Sequence, residues 1–249
     1  MSPNNRRSPQ RRAKALLLAA GLGTRLRPLT ETMPKCMVPI AGKPLIGYWF
    51  DLLEAAGIQD VLINTHYLPD PFRGYMKEVM ATRPLRLHEA HEPKLLGSAG
   101  TVAHNRAWAD DCDEIVLIYA DNLSNVNLTR LLEFHRGHED PVTMLLFHTA
   151  YPSQCGIAAL DAAGHIVEFV EKPKEPKSDQ ANAGLYVLEA DAYRDIADRN
   201  VFDIGFDILP SYVGKMSGFV FDGYHRDIGN LDALAAAEVD APRVFGAKA

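Results

Sequence analysis

The chain has 249 residues, 47% apolar and 23% charged, a balance that suits one large α/β domain with its own core. Its net charge is −6, and the first twelve residues hold four arginines (Arg6, Arg7, Arg11, Arg12) and no acid. Taking those four from the 26 basic residues leaves 22 against 32 acidic ones, a body charge of −10, which excludes a nucleic-acid-binding body and makes any anion site local.

Residues 1–12, MSPNNRRSPQRR, read as a disordered basic tail. They lack the apolar stretch of a secretory signal. A first strand is predicted over 15–20, ending abruptly at Gly21. Pro44 then suits the first turn of a helix whose apolar face is Leu45, Trp49, Leu52, Leu53 and Ala56, with Gly57 ending it. Strands are predicted over 61–64, 85–88, 115–120 and 142–148. Between them, Asp70 and Pro71 open a second helix, Ser98 caps a third, and 128–138 form a fourth. This alternation predicts a mostly parallel central sheet with helices on both faces, whose ligands sit beyond the carboxyl ends of the strands.

After residue 150 the rhythm changes. Strands over 157–160 and 166–170 flank a hairpin turn at 161–164. A Pro- and Lys-rich surface loop follows at 172–178, then a strand at 185–188 and a helix over 230–239. The second half is read as finishing the sheet and walling its cleft. Residues 13–249 are expected to form a single domain, with a nucleotide-binding half at 13–150 and a sugar-phosphate-binding half at 151–240. No apolar run reaches the ~18 residues of a membrane span. Cys36, Cys112 and Cys155 fit neither a disulfide nor a zinc spacing, so free thiols in a cytoplasmic protein are expected.

The string LLLAAGLGTRLRPLTETMPK, residues 16–35, carries the most chemistry. A buried strand opening into Gly21 and Gly23 lets backbone N–H groups face an anion without Cβ interference. Arg25 and Lys35 add fixed positive charge, the requirement of a bound polyphosphate. The spacing is not that of a Walker loop, and Leu26 occupies the sixth position where a dinucleotide fingerprint needs Gly or Ala. Asp121 follows the apolar run 115–120, so as a carboxylate at a strand end it can hold Mg²⁺ or form a turn. Asp227, in GYHRDIGN, can supply a second metal carboxylate or cap the following helix. Neither has His or Cys partners at zinc-ligand spacing. Glu171, Lys172, Asn182 and Gly184 can meet sugar hydroxyls and a phosphate, or be ordinary loop and strand residues. Residues 97–100, GSAG, can bring a helix N-terminus to a nucleotide or simply cap a helix.

Taken in order, LAAGLGTRLRPLT, PKCMVPIAGKPLI, EPKLLGSAGT, YADN, FVEKP, NAGLYVL and RDIGN resemble the sugar-1-phosphate nucleotidylyltransferases over roughly residues 14–240. The resemblance implies a Rossmann-like nucleotidyltransferase fold. It implies that Gly21, Gly23 and Thr24 cradle the triphosphate, that Arg25 and Lys35 are the catalytic cations, and that Asp121 and Asp227 hold Mg²⁺. It implies a sugar-phosphate pocket of Gly156, Glu171, Lys172 and Asn182. The nucleobase wall is implied at Leu18, Ala19 and Ala20 with the segment from Glu89 through Glu92 to Gly97.

The implied reaction joins an NTP to a sugar 1-phosphate and releases pyrophosphate. EPKLLGSAGT and NAGLYVL are most similar to guanylyltransferases acting on mannose 1-phosphate, so GTP and a manno-type sugar are expected. Glu89 or Glu92 could accept hydrogen bonds from the donor edge of guanine, or backbone groups could read the base instead. The missing hexapeptide pattern after residue 240 argues against the adenylyltransferases of glycogen synthesis and the bifunctional acetyltransferase enzymes. Thymidylyl- or uridylyltransfer is the alternative within the family, and a non-catalytic nucleotide-sugar sensor the alternative outside it. Arg25, Lys35, Asp121 and Asp227 together speak against the sensor. Partners are expected to be the two substrates, with no nucleic acid and no membrane, and homo-oligomerisation stays open.

Overall fold

The computed structural model describes residues 11–246. In chain order the elements are β1 (Ala13–Leu18), β2 (Pro39–Ile40), β3 (Lys43–Pro44), α1 (Leu45–Ala55), β4 (Asp60–Thr65), α2 (Pro69–Thr82), β5 (Arg86–His91) and α3 (Gly97–His104). β6 (Glu114–Tyr119), β7 (Asn122–Ser124), α4 (Leu128–His135), β8 (Val142–His148), β9 (Gly156–Leu160), β10 (Ile166–Glu171) and β11 (Gln180–Glu189) follow. α5 (Ala190–Asp198), β12 (Met216–Phe221), β13 (His225–Asp227) and α6 (Leu231–Phe245) complete the chain.

The apolar runs become the central strands of a nine-stranded mixed sheet. β1 pairs in parallel with β4 and with β6, and β4 pairs in parallel with β5. Both faces of β1 are covered, which is why it is apolar without alternation over 15–18. Leu17 faces a core built with Trp49 and Phe50 of α1, Phe72 of α2 and Leu131 of α4. Leu16 faces the opposite core, with Val102 of α3 and Tyr193 of α5. A third, smaller cluster joins Leu26, Val38 and Tyr48 to Leu234 and Ala237 of α6.

The antiparallel β11 turns this frame into a cleft. Its second half pairs with β6, while Ala181 in its first half pairs with β9. β8 runs along the other edge of β11, with a register break between Asn182 and Tyr186. The sheet therefore forks at this break, between the end of β6 and the β9–β10 hairpin. Gly184 sits in the fork at φ +65°, where a Cβ would lie 3.1 Å from Tyr119 Cβ. β12 adds in parallel to β8.

Several sequence expectations change here. β12, α5 and the small β7–β13 ribbon were not anticipated, and β11 begins at Gln180 rather than at 185. The small and polar stretch Gln180–Gly184 lacks the apolar signature of a strand. Ser98 does not cap α3, because its hydroxyl accepts from Ile204 N at 2.8 Å. Asp227 does not cap α6; Asn230 does, accepting from Ala233 N at 2.8 Å. Residues 1–10 of the expected tail lie outside the described residues. Arg11 and Arg12, placed in that tail from sequence, are instead tied to the body, with Arg11 Nη2 2.6 Å from Glu189 and Arg12 Nη2 3.0 Å from Asp60. All three cysteines are free thiols. Among the described residues no helix is long and apolar enough to cross a membrane.

Candidate active site

Two cavities open at the carboxyl ends of β1 and β6. The first, about 300 Å³, is lined by Leu18, Ala19, Ala20, Gly21, Glu92 and Gly97, as the sequence suggested, and also by Lys35, Asn64 and Phe202. A buried polar network fixes its floor. Ala19 N donates to Asn64 Oδ1 at 2.6 Å, and Asn64 Nδ2 donates to Glu92 Oε1 at 2.9 Å. Glu92 also accepts from Thr101 Oγ1 at 2.5 Å and from Leu96 N at 3.2 Å. A buried carboxylate satisfied in this way organises its surroundings rather than waiting for a ligand.

Gly23 and Thr24 lie behind Gly21, outside the lining of either cavity. Gly23 adopts φ +63°, and a Cβ there would meet Thr30 Cγ2 at 2.9 Å. Its carbonyl accepts from Leu26 N at 2.9 Å and from Thr30 Oγ1 at 2.8 Å. Gly23 thus shapes the turn, and Thr24 is exposed on it.

Glu89 is a correction. It does not line the first cavity, because Arg73 Nε holds it at 2.8 Å and Thr65 Oγ1 donates to it at 2.6 Å. It points from β5 into a neighbouring polar cluster. Neither Glu89 nor Glu92 is left unengaged for a guanine edge.

The second cavity, about 330 Å³, brings together Gly156, Glu171, Lys172 and Asn182 with Asp227. A Cβ on Gly156 would lie 2.4 Å from Glu171 Oε2, so only glycine lets this carboxylate reach its position. Burial pushes the Glu171 carboxyl up, and the Lys172 charge opposes that. Asn182 Nδ2 donates to Tyr186 OH at 2.7 Å, and its Oδ1 accepts from Gly184 N at 3.0 Å. Tyr119, Asp121 and Asp203 line both cavities and so mark their junction.

At that junction Lys35 is buried, with only 8% of its surface exposed. Its Nζ lies 2.8 Å from Asp121 Oδ2 and 3.7 Å from Asp227 Oδ1. Gly229 leaves room for Asp227 and Arg25, since a Cβ there would be 2.8 Å from Asp227 Oδ2 and 3.1 Å from Arg25 Nη2. Partial desolvation at the cleft wall and then the neighbouring Asp121 charge push the Asp227 carboxyl up, while 60% of its side chain stays exposed. Two carboxylates converging on one ammonium form an oxygen donor set that fits a hard divalent cation. A second acidic group, Glu114, His135 and Glu189, lies at the opposite end of β6. Guanidinium groups already hold its carboxylates: Arg136 pairs with Glu114, and Arg11 pairs with both glutamates.

Sequence reasoning missed Asn64, Thr101, Tyr119, Phe202, Asp203 and Phe206. Thr101 and Tyr119 stand inside the strings EPKLLGSAGT and YADN without being singled out, whereas Asn64, Phe202, Asp203 and Phe206 stand in no motif and only the fold brings them to the cleft.

The family model for nucleotidyl transferases matches residues 14–243. The chain belongs to the nucleotidyl transferase family. Among family relatives, it is 33% identical over 233 residues to a mannose-1-phosphate guanylyltransferase of Mycobacterium tuberculosis, covering 92% of this chain and 64% of that one. It is 31% identical over 220 residues to a mannose-1-phosphate guanylyltransferase catalytic subunit beta of Xenopus tropicalis, covering 87% and 61%. The chain thus spans less than two thirds of these relatives' length. A Bacillus anthracis structure provisionally named glucose-1-phosphate thymidylyltransferase, in complex with a sucrose, shares the fold with a TM-score of 0.83 at 24% identity, covering 92% of this chain and 95% of that one.

Proposed function

We propose that this chain transfers a nucleotidyl group from an NTP, with GTP favoured, to a sugar 1-phosphate, with mannose 1-phosphate or a related manno-type sugar favoured. The products are an NDP-sugar and pyrophosphate. The observation that carries the reading is the junction itself: Lys35, Asp121 and Asp227 converge where the two cavities meet. In the proposed arrangement the nucleotide occupies the first cavity and the sugar phosphate the second, so their phosphates meet at Asp121.

The nucleophile is a phosphate oxygen of the sugar 1-phosphate, already anionic, so no strong general base is needed. It attacks the α-phosphorus in line, and pyrophosphate leaves with the electron pair of the broken P–O bond. The obstacle is repulsion between a dianion and a triphosphate. Arg25 and Lys35 neutralise the nucleotide, and Lys172 neutralises the incoming phosphate. Asp121 and Asp227 would hold Mg²⁺, which when bound supplies further charge neutralisation to the phosphates. Glu171 accepts from sugar hydroxyls, and Asn182 orients beside it. Glu92 acts through Asn64 and Thr101 by holding the first cavity's floor. The preference for GTP rests on the guanylyltransferase relatives, since both candidate glutamates are engaged within the protein.

A matrix of GTP, dTTP, UTP, ATP and CTP against mannose, glucose and other sugar 1-phosphates, scored by pyrophosphate release, tests this reading. GTP with mannose 1-phosphate should give the highest kcat/KM. A higher value with dTTP or UTP replaces the guanylyl assignment and keeps the enzyme class. No release with any pair, while nucleotide still binds, identifies a sensor.

A further inference from the structure

The segment after α5 forms a strap along both cavities, and its two phenyl rings are the most exposed aromatic side chains that line them. Phe202 is 61% exposed and lines the first cavity; Phe206 is 58% exposed and lines the second. The strap is held by backbone and small polar groups. Ala99 N of α3 donates to Phe202 O at 3.1 Å, and Phe206 N donates to Asp203 Oδ1 at 2.9 Å. Ser98 Oγ accepts from Ile204 N at 2.8 Å and donates to Asp203 Oδ2 at 3.3 Å.

Gly97 is required by the close approach of the strap, and Gly205 sits tightly against the second cavity. A Cβ on Gly97 would lie 2.3 Å from Phe202 O and 2.8 Å from its ring. A Cβ on Gly205 would lie 3.3 Å from Glu171 Oε2. The strap is thus drawn against both cavity walls by its backbone and polar groups, with the Phe202 ring resting on Gly97 by one face. A ring that is not needed to fold its own segment, lies mostly in water and borders a ligand-sized cavity gains its apolar contacts from the ligand.

We propose that Phe202 is a platform for the nucleobase and Phe206 a platform for the ring face of the sugar phosphate, so that one strap reads both substrates. This rests on the nucleotidyl-transfer reading above. Phe202 shares its cavity with Leu95, an exposed apolar neighbour, which gives the flat apolar wall that stacking on a base requires. Phe206 lies under Lys172, whose Nζ is 5.9 Å from the ring centroid. That pairing offers an apolar face for the sugar and a charge for its phosphate in one place.

Phe202→Ala, Phe206→Ala, Phe202→Tyr and Phe206→Tyr decide the matter, because rings this exposed can be removed without opening a core. Calorimetric titration with GTP and with mannose 1-phosphate is run on each variant, beside steady-state KM values. Phe202→Ala should weaken GTP about tenfold and leave mannose 1-phosphate within twofold. Phe206→Ala should do the reverse, and each Tyr variant should restore affinity. Unchanged affinities, or equal losses for both ligands accompanied by a lower Tm, overturn the proposal. The binding readout keeps the two claims separate. A selective loss of GTP affinity in a wild-type-like fold that releases no pyrophosphate supports the platform and overturns the activity. Full activity without the selective losses does the opposite.

Discussion

Lys35 holds Asp121 and Asp227 with a single ammonium, 2.8 Å from the first and 3.7 Å from the second. One positive charge thus stands where two carboxylates would otherwise repel, at the meeting point of the two cavities. In the proposed reading, Asp121 and Asp227 would hold a divalent cation, and it would supply charge neutralisation to the phosphates. Asp121→Asn and Asp227→Asn preserve shape and remove charge. Each should lower kcat/KM by ~10²-fold or more, the scale of losing one electrostatic stabiliser. Wild-type Tm should rise with added Mg²⁺ and that rise should vanish in Asp121→Asn. Normal turnover at limiting Mg²⁺ in either variant removes that residue from the metal site.

Lys35 and Arg25 should differ in stability. Arg25 is exposed, whereas Lys35 is buried. Both Ala variants should lose kcat/KM for the NTP. Arg25→Ala should leave unfolding free energy within about 0.5 kcal/mol. Lys35→Ala leaves two carboxylates facing each other and should cost roughly 1–2 kcal/mol. Denaturant unfolding of the two variants, side by side, checks the difference. Equal stabilities would place Lys35 in solvent.

Gly156→Ala is a test of Glu171 that leaves the carboxylate in the sequence. The new Cβ would fall 2.4 Å from Glu171 Oε2 and 2.7 Å from the Phe169 ring, so the carboxylate must move. Losing one charged hydrogen bond to the sugar should raise KM for sugar 1-phosphate about tenfold. Calorimetric affinity for the NTP should stay unchanged in both Gly156→Ala and Glu171→Ala. A large loss of NTP affinity in either would move Glu171 out of the sugar site.

The far end of β6 sets a pH dependence. His135 is fully buried with Nε2 3.1 Å from Glu189 Oε1, and burial pushes its imidazole down to about 4. In the unfolded chain a His titrates near pH ~6.5. Between those values the unfolded chain binds a proton that the native protein does not, so stability falls as pH drops from about 6.5 to 4. His135→Gln should flatten the plot of Tm against pH in that window. An unaltered slope would assign the effect to another group.

The sequence by itself determined the central strands and the glycine turn that follows the first of them. The run 15–18 is apolar on consecutive residues because both sheet faces are covered, and that burial is written into the local string. Gly21, Arg25 and Lys35 stood out as a candidate phosphate site because such a site needs glycine backbone and positive charge close in the chain. The family was legible because its motifs recur in order, and the matched span of 14–243 agrees with the span read from them. Tertiary structure alone decided what adjacency decides. The antiparallel β11, paired with β6, β8 and β9, opens the fork that brings Glu171 and Asn182 to Asp121. Glu89 and Glu92 stand in one short string, yet Arg73 draws one away while Asn64 and Thr101 bind the other into the cavity floor. Phe202 and Phe206 carry no motif, and Gly97 leaves the room their strap needs against the first cavity. Periodicity and spacing report what a residue's own segment buries; which distant segment it meets depends on strand order, and that is settled by packing across the whole sheet.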